Sequence, residues 1–165
     1  RLSLNKKSQQ KKEAQPLTSR ILTAVRPLFI ISGPATCEGV LLDNMMTIMS
    51  LTSPTTTTPV ISNSLNILPT ELAHFPFDVH HTAANELIYS ETAQKIITLL
   101  SDYKPDIVYC DVEETSAFIE YILRLISPEL VISAGNSIPN QLVTINLAQR
   151  SQKLATIFPF LNNPQ

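Results

Sequence analysis

Glycine is scarce in this chain, with three in 165 residues, and tryptophan is missing altogether. Gly33, Gly39 and Gly135 leave little room for the φ > 0 turns and close backbone approaches on which nucleotide-binding loops depend. Cysteine is nearly as rare. Cys37 and Cys110 are too few for a disulfide framework and have no metal-ligand spacing. They read as two small buried hydrophobes, which places the chain in a reducing, intracellular compartment. No apolar run approaches the ~20 residues of a membrane span, and no secretory signal core is present. Charge is also low, at 16% of residues, where an ordinary soluble protein carries about 25%. Apolar residues at 44% exclude a disordered chain. A surface so thin in charge suits partial coverage by a partner, because interface cores are depleted of charged residues.

The charge that is present is unevenly placed. Residues 1–26 hold Arg1, Lys6, Lys7, Lys11, Lys12, Arg20 and Arg26 against Glu13 alone, a balance of +6, so the net charge of −2 leaves −8 on the rest. Residues 1–16 are polar, basic and closed by Pro16, and they read as a flexible tail. Its lysines, Lys6, Lys7, Lys11 and Lys12, are candidate contacts for an acidic protein surface or for nucleic acid. The tail has no aromatic residue for stacking on single-stranded bases.

Residues 17–165 read as a single domain of ordinary length. A short helix is expected over 17–26, stopped by Pro27. LFIIS at 28–32 is a continuous apolar run of the kind found in buried parallel strands. A helix follows from Thr36, its candidate N-cap, with Val40, Leu41, Met45, Ile48 and Met49 as the apolar stripe. PVISNSLNIL suggests strand interrupted near Asn63, and 69–82 resist assignment because Pro69 and Pro76 forbid a long element. A long helix is expected from Ala83, capped by Thr82 with help from Glu86, with Leu87, Ile88, Ile96, Leu99 and Leu100 inward. DIVYC at 106–110 is a second strand. A helix over 114–126 follows, with Phe118, Ile122, Leu125 and Ile126 inward. ELVIS at 129–133, QLVTINL at 141–147 and a terminal helix complete the chain. Alternating strand and helix imply a small three-layer α/β domain, Rossmann-like or degenerate P-loop-like, with a mainly parallel sheet.

Four places could carry chemistry. Ser32-Gly33-Pro34 before a helix has the outline of an anion-binding turn. LFIISGP resembles the start of the phosphate loop in kinases of the guanylate kinase type, over about a dozen residues. That motif requires Gly-x4-Gly-Lys-Ser/Thr, and counted from Gly33 the last three places hold Glu38, Gly39 and Val40. The phosphate-neutralising lysine and the Mg²⁺-holding hydroxyl are both missing. Asp111, Glu113 and Glu114 follow a strand, where open parallel sheets bind ligands. They are candidates for a carboxylate-based catalytic site, or else caps of the next helix. His74, His80 and His81 lack zinc spacing, although an Asp78–His81 pair could do acid–base work. Cys110 has Asp111 beside it, which would raise its pKa and weaken it as a nucleophile. Residues 103–126, YKPDIVYCDVEETSAFIEYILRLI, resemble the last strand and helix of small GTPase-like folds, including catalytically dead members that serve as complex subunits. No Asn-Lys-x-Asp motif accompanies them.

These readings point to a non-enzymatic subunit or adaptor of a larger protein or ribonucleoprotein assembly, in which a degenerate nucleotide-type fold serves as a binding scaffold. No cofactor, metal or membrane span is expected. The alternative is a small α/β enzyme, a metal-assisted hydrolase or transferase, built on Asp111, Glu113 and Glu114.

Overall fold

The computed structural model describes residues 25–32, 38–63, 76–148 and 152–157. Six strands, β1 (Pro27–Ile31), β2 (Thr58–Ser62), β3 (Phe77–His81), β4 (Ile107–Asp111), β5 (Leu130–Ala134) and β6 (Thr144–Leu147), form one sheet. Its order is β3-β2-β1-β4-β5-β6 and every pairing is parallel. This is the doubly wound Rossmann order, with the chain stepping outward from β1 to β3 and then crossing back to β4. Among the described residues four helices accompany the sheet: α1 (Glu38–Thr52), α2 (Glu91–Tyr103), α3 (Ala117–Ile126) and α4 (Leu154–Ile157). Among the described residues no helix is long and apolar enough to cross a membrane.

The alternation of side chains along each strand sorts the core into two layers. Phe29, Ile31, Val60, Tyr109 and Ile132 point to one face, where Leu41, Met45 and Ile48 of α1 and Leu154 of α4 cover them. Leu28, Ile30, Ile61, Val108 and Cys110 point to the other, under Ile96 and Leu100 of α2 and Phe118 and Ile122 of α3. β1, β2, β4 and β5 are buried throughout, as expected of strands covered on both faces, and β1 accordingly reads as a continuous apolar run. Phe29, at the centre, meets the rings of Phe77 and Tyr109 edge-on at 5.9 and 6.2 Å. Residues 135–143 join β5 to β6 without a helix, and Ile138 and Leu142 from this connection help to cover the second layer.

Asn44 is the polar centre of the first layer. It is fully buried in α1, donates to the Tyr109 hydroxyl at 3.0 Å and the Gln152 carbonyl at 3.2 Å, and accepts from the Leu154 N–H at 2.7 Å. One side chain thus satisfies the start of α4, a helix too short to hold itself.

Several boundaries differ from the sequence reading, each for a local reason. The helix expected from Ala83 begins at Glu91, because Ser90 caps it: its Oγ accepts from the Ala93 N–H at 3.0 Å. Leu87, expected inward, is 73% exposed, and Leu99 is only half-buried. α3 begins at Ala117 and not at Glu114, since the Ser116 hydroxyl takes the Ile119 N–H at 3.2 Å. Leu125, also expected inward, is 45% exposed. β3 occupies part of the unassigned 69–82 stretch, starting just after Pro76, at the sheet edge. β6 is four residues long rather than seven, because 139–142 form a turn closed by the Leu142 N–H on the Pro139 carbonyl. The basic tail, residues 17–24 of the helix expected over 17–26, Thr36, Cys37 and His74 lie outside the described residues, and Val25 and Arg26 are not helical.

Candidate functional site

All six strands point the same way, so their carboxyl ends gather at one edge, and strand order reverses between β1 and β4. Ligands of doubly wound sheets bind outside that reversal point. The strand ends there turn polar while staying buried: Ser32, Ser62, Asp111 and Ser133 are all no more than 3% exposed. Ser32, Asp111 and Ser133 take part in hydrogen bonds that link neighbouring strand ends. The Ser32 N–H donates to the Asp111 carbonyl at 3.0 Å, and the Ser32 Oγ accepts from the Glu113 N–H at 2.8 Å. Asn136 closes the next gap. Its side-chain carbonyl accepts from the Val112 N–H at 3.4 Å and its amide donates to the Val112 carbonyl. Its own N–H donates to the Ser133 Oγ at 2.9 Å, and that hydroxyl donates back to the Asn136 carbonyl. The end of β1 and the turns after β4 and β5 are therefore tied into one frame by short polar side chains.

The three candidate carboxylates sit differently within this frame. Asp111 is buried at the end of β4, one residue beyond Cys110 and so on the opposite face of the strand. Glu113 and Glu114 are exposed on the turn leading to α3. None of the three caps that helix through its side chain, because Ser116 holds the cap. Among the described residues no three His, Cys, Asp or Glu side chains converge as metal ligands. The Cys110 thiol is pushed up to about 12, first by burial and then by the neighbouring Asp111 charge, so it stays protonated at neutral pH. Asp78 pairs with His80 and not with His81, at 2.8 Å, because residues two apart on a strand share a face.

A groove of about 500 Å³ lies at the opposite edge of the sheet, between the carboxyl ends of α2 and α3, lined by Arg26, Leu100, Lys104, Asp106, Leu125 and Glu129. Arg26 is engaged within the groove itself. The Arg26 N–H donates to Asp106 Oδ2 at 2.9 Å, and Arg26 Nε donates to the Lys104 carbonyl at 3.0 Å. It contains none of the candidate carboxylates and lies away from the strand-order reversal.

The feature that the sequence reading missed is the segment between β3 and α2. The Ala83 N–H donates to Glu86 Oε1 at 2.9 Å, the Ser90 N–H to the Leu87 carbonyl at 3.0 Å, and Gln94 Nε2 to the Ile88 carbonyl at 2.7 Å. The Ala83 N–H and the Ser90 hydroxyl hold the Glu86 carboxyl below the usual carboxylate range. Ile88 packs on the α2/α3 layer, whereas Leu87 and Tyr89 on either side of it stand 73% and 91% exposed. A hydrogen-bonded turn thus holds two large apolar side chains out in solvent. A second helix-start signal, Ser90-Glu91, could have revealed it.

The chain matches no protein-family model, no curated protein and no solved structure.

Proposed function

We propose that this chain is a non-enzymatic subunit or adaptor, a Rossmann-like domain that works by packing against larger partners in a protein or ribonucleoprotein assembly. The observation that carries the reading is the turn before α2, which presents Leu87 and Tyr89 to solvent on a hydrogen-bonded frame. Large exposed apolar groups on a preorganised support are what binding hot spots require, since little ordering entropy is then lost on association. The altered phosphate turn, with Glu38, Gly39 and Val40 where a P-loop has its working residues, fits the same reading. The polar frame around Ser32, Asp111 and Asn136 is then the scaffold that holds the sheet's upper loops in place. The basic tail with Lys6, Lys7, Lys11 and Lys12 supplies a second contact, to an acidic partner or to nucleic acid.

Burial of Asp111 at the strand-order reversal favours a second reading, a carboxylate-based hydrolase or transferase with Glu113 and Glu114. Purification of the tagged full chain from its native source separates the two. The subunit reading expects a fixed set of partners at comparable abundance. A clean monomer or homodimer would contradict it and turn attention to metal and small-molecule binding at Asp111.

A further inference from the structure

The turn before α2 does not stand alone at its edge of the sheet. The connections that leave the carboxyl ends of β3 and β4, residues 82–90 and 112–116, together with the first residue of α2, carry Glu86, Glu91, Glu113 and Glu114 and not a single lysine or arginine. Both lead into helices on the same face of the sheet, α2 and α3. Glu91, Glu113 and Glu114 are exposed, and the nearest cation along the chain, Lys95, is paired with Glu91 at 3.3 Å. The edge that displays Leu87 and Tyr89 is therefore also acidic.

Resting on the subunit reading, we propose that this edge docks a basic protein segment, an amphipathic stretch with Lys or Arg on one side and an apolar pocket or stripe on the other. Leu87 and Tyr89 supply the desolvated centre, and the carboxylates supply the rim that steers a cationic partner and fixes its orientation. The sign of the rim also decides against nucleic acid at this surface, because phosphate would be repelled by Glu86, Glu113 and Glu114. Any nucleic acid contact belongs to the tail, whose charge is opposite.

The test uses the full chain and two defined probes, a fluorescent 18-residue amphipathic peptide of lysine and leucine and its glutamate–leucine counterpart. Expected is binding of the lysine peptide alone. Leu87→Ser/Tyr89→Ser should weaken it about tenfold or more. Glu113→Gln/Glu114→Gln should weaken it a few fold and flatten its dependence on salt. All four side chains are exposed, so thermal melts of the variants should overlay the wild type. Equal binding of both peptides, or variants that bind as the wild type does, would overturn the proposal. So would binding of a single-stranded RNA oligonucleotide that is lost in the same variants. Tighter peptide binding after deletion of residues 1–16 would mean that the chain's own tail is the occupant, and would overturn the assignment to a separate partner. The subunit reading fails separately, if the wild-type chain purifies without partners. If partners persist on Leu87→Ser/Tyr89→Ser, that reading stands and only this surface is lost.

Discussion

Asn44 shows how much can hang on one residue. Replacing it with alanine takes away the acceptor of the Leu154 N–H and the amide donor that reaches the Gln152 carbonyl and the Tyr109 hydroxyl. Each such buried group costs about 1–3 kcal/mol, partly relieved by relaxation of α4, so Asn44→Ala should lower stability by about 2–3 kcal/mol in urea unfolding. Cys110 makes a second residue-scale prediction. Its thiol stays neutral in the fold and ionises at about 12, and burial pushes the Tyr103 hydroxyl up to about 12 as well. In both cases the raised folded pKa favours the neutral form in the fold. The stability they lend is complete below the unfolded-state values near 9 and 10 and is lost as pH climbs toward 12. The urea midpoint should be flat in this respect at neutral pH and fall through that alkaline window. Iodoacetamide should leave Cys110 unlabelled in the native state at pH 8 and label it once urea unfolds the chain.

At the scale of elements, the scarcity of glycine noted in the sequence has a structural counterpart. Helices α1, α2 and α3 all end on a left-handed residue, yet that residue is Ser53, Lys104 or Ser127 and never glycine. Each closes its helix by donating its N–H to a carbonyl four residues back, Met49, Leu100 or Leu123. Each is followed by a proline, at 54, 105 and 128, which forbids a further helical turn. A left-handed non-glycine residue costs about 1–2 kcal/mol, so Ser127→Gly should stabilise the fold by about 0.5–1 kcal/mol, even after glycine's larger entropy loss. At the other helix ends, Ser90→Ala and Ser116→Ala should each cost about 1 kcal/mol, whereas Glu113→Ala should stay within about 0.5 kcal/mol. Helix ends marked by proline were legible in the sequence; helix starts were not. Thr82 and Ser90 both fit an N-cap, and only tertiary packing decides, with Ile88 turned inward and Leu87 out. The exposed turn was hidden for the same reason, since Leu87 and Ile88 suited a helical stripe equally well.

For the whole molecule, the strand–helix alternation was enough to give the layered α/β class, because buried parallel strands announce themselves as continuous apolar runs. Strand order was not legible, for it depends on which connections cross the sheet and on which face. β3 escaped because an edge strand is half-buried and need not be apolar, and FDVHH reads as loop beside Pro76. Asp111 is the last residue of β4, and Glu113 and Glu114 follow it. Sequence could not say that Asp111 is buried while Glu113 and Glu114 face solvent. It also could not show that the turn carrying Glu86 holds two apolar side chains out in solvent.

The central claim, that the domain acts as part of an assembly, is tested most directly by the size at which the endogenous chain elutes from an undisturbed native extract. Elution is expected at several times the mass that the same chain shows when denatured, with a shift to the monomer position when strong salt or mild denaturant separates it from its partners. Elution of the endogenous chain at the monomer position in the undisturbed extract would contradict the account.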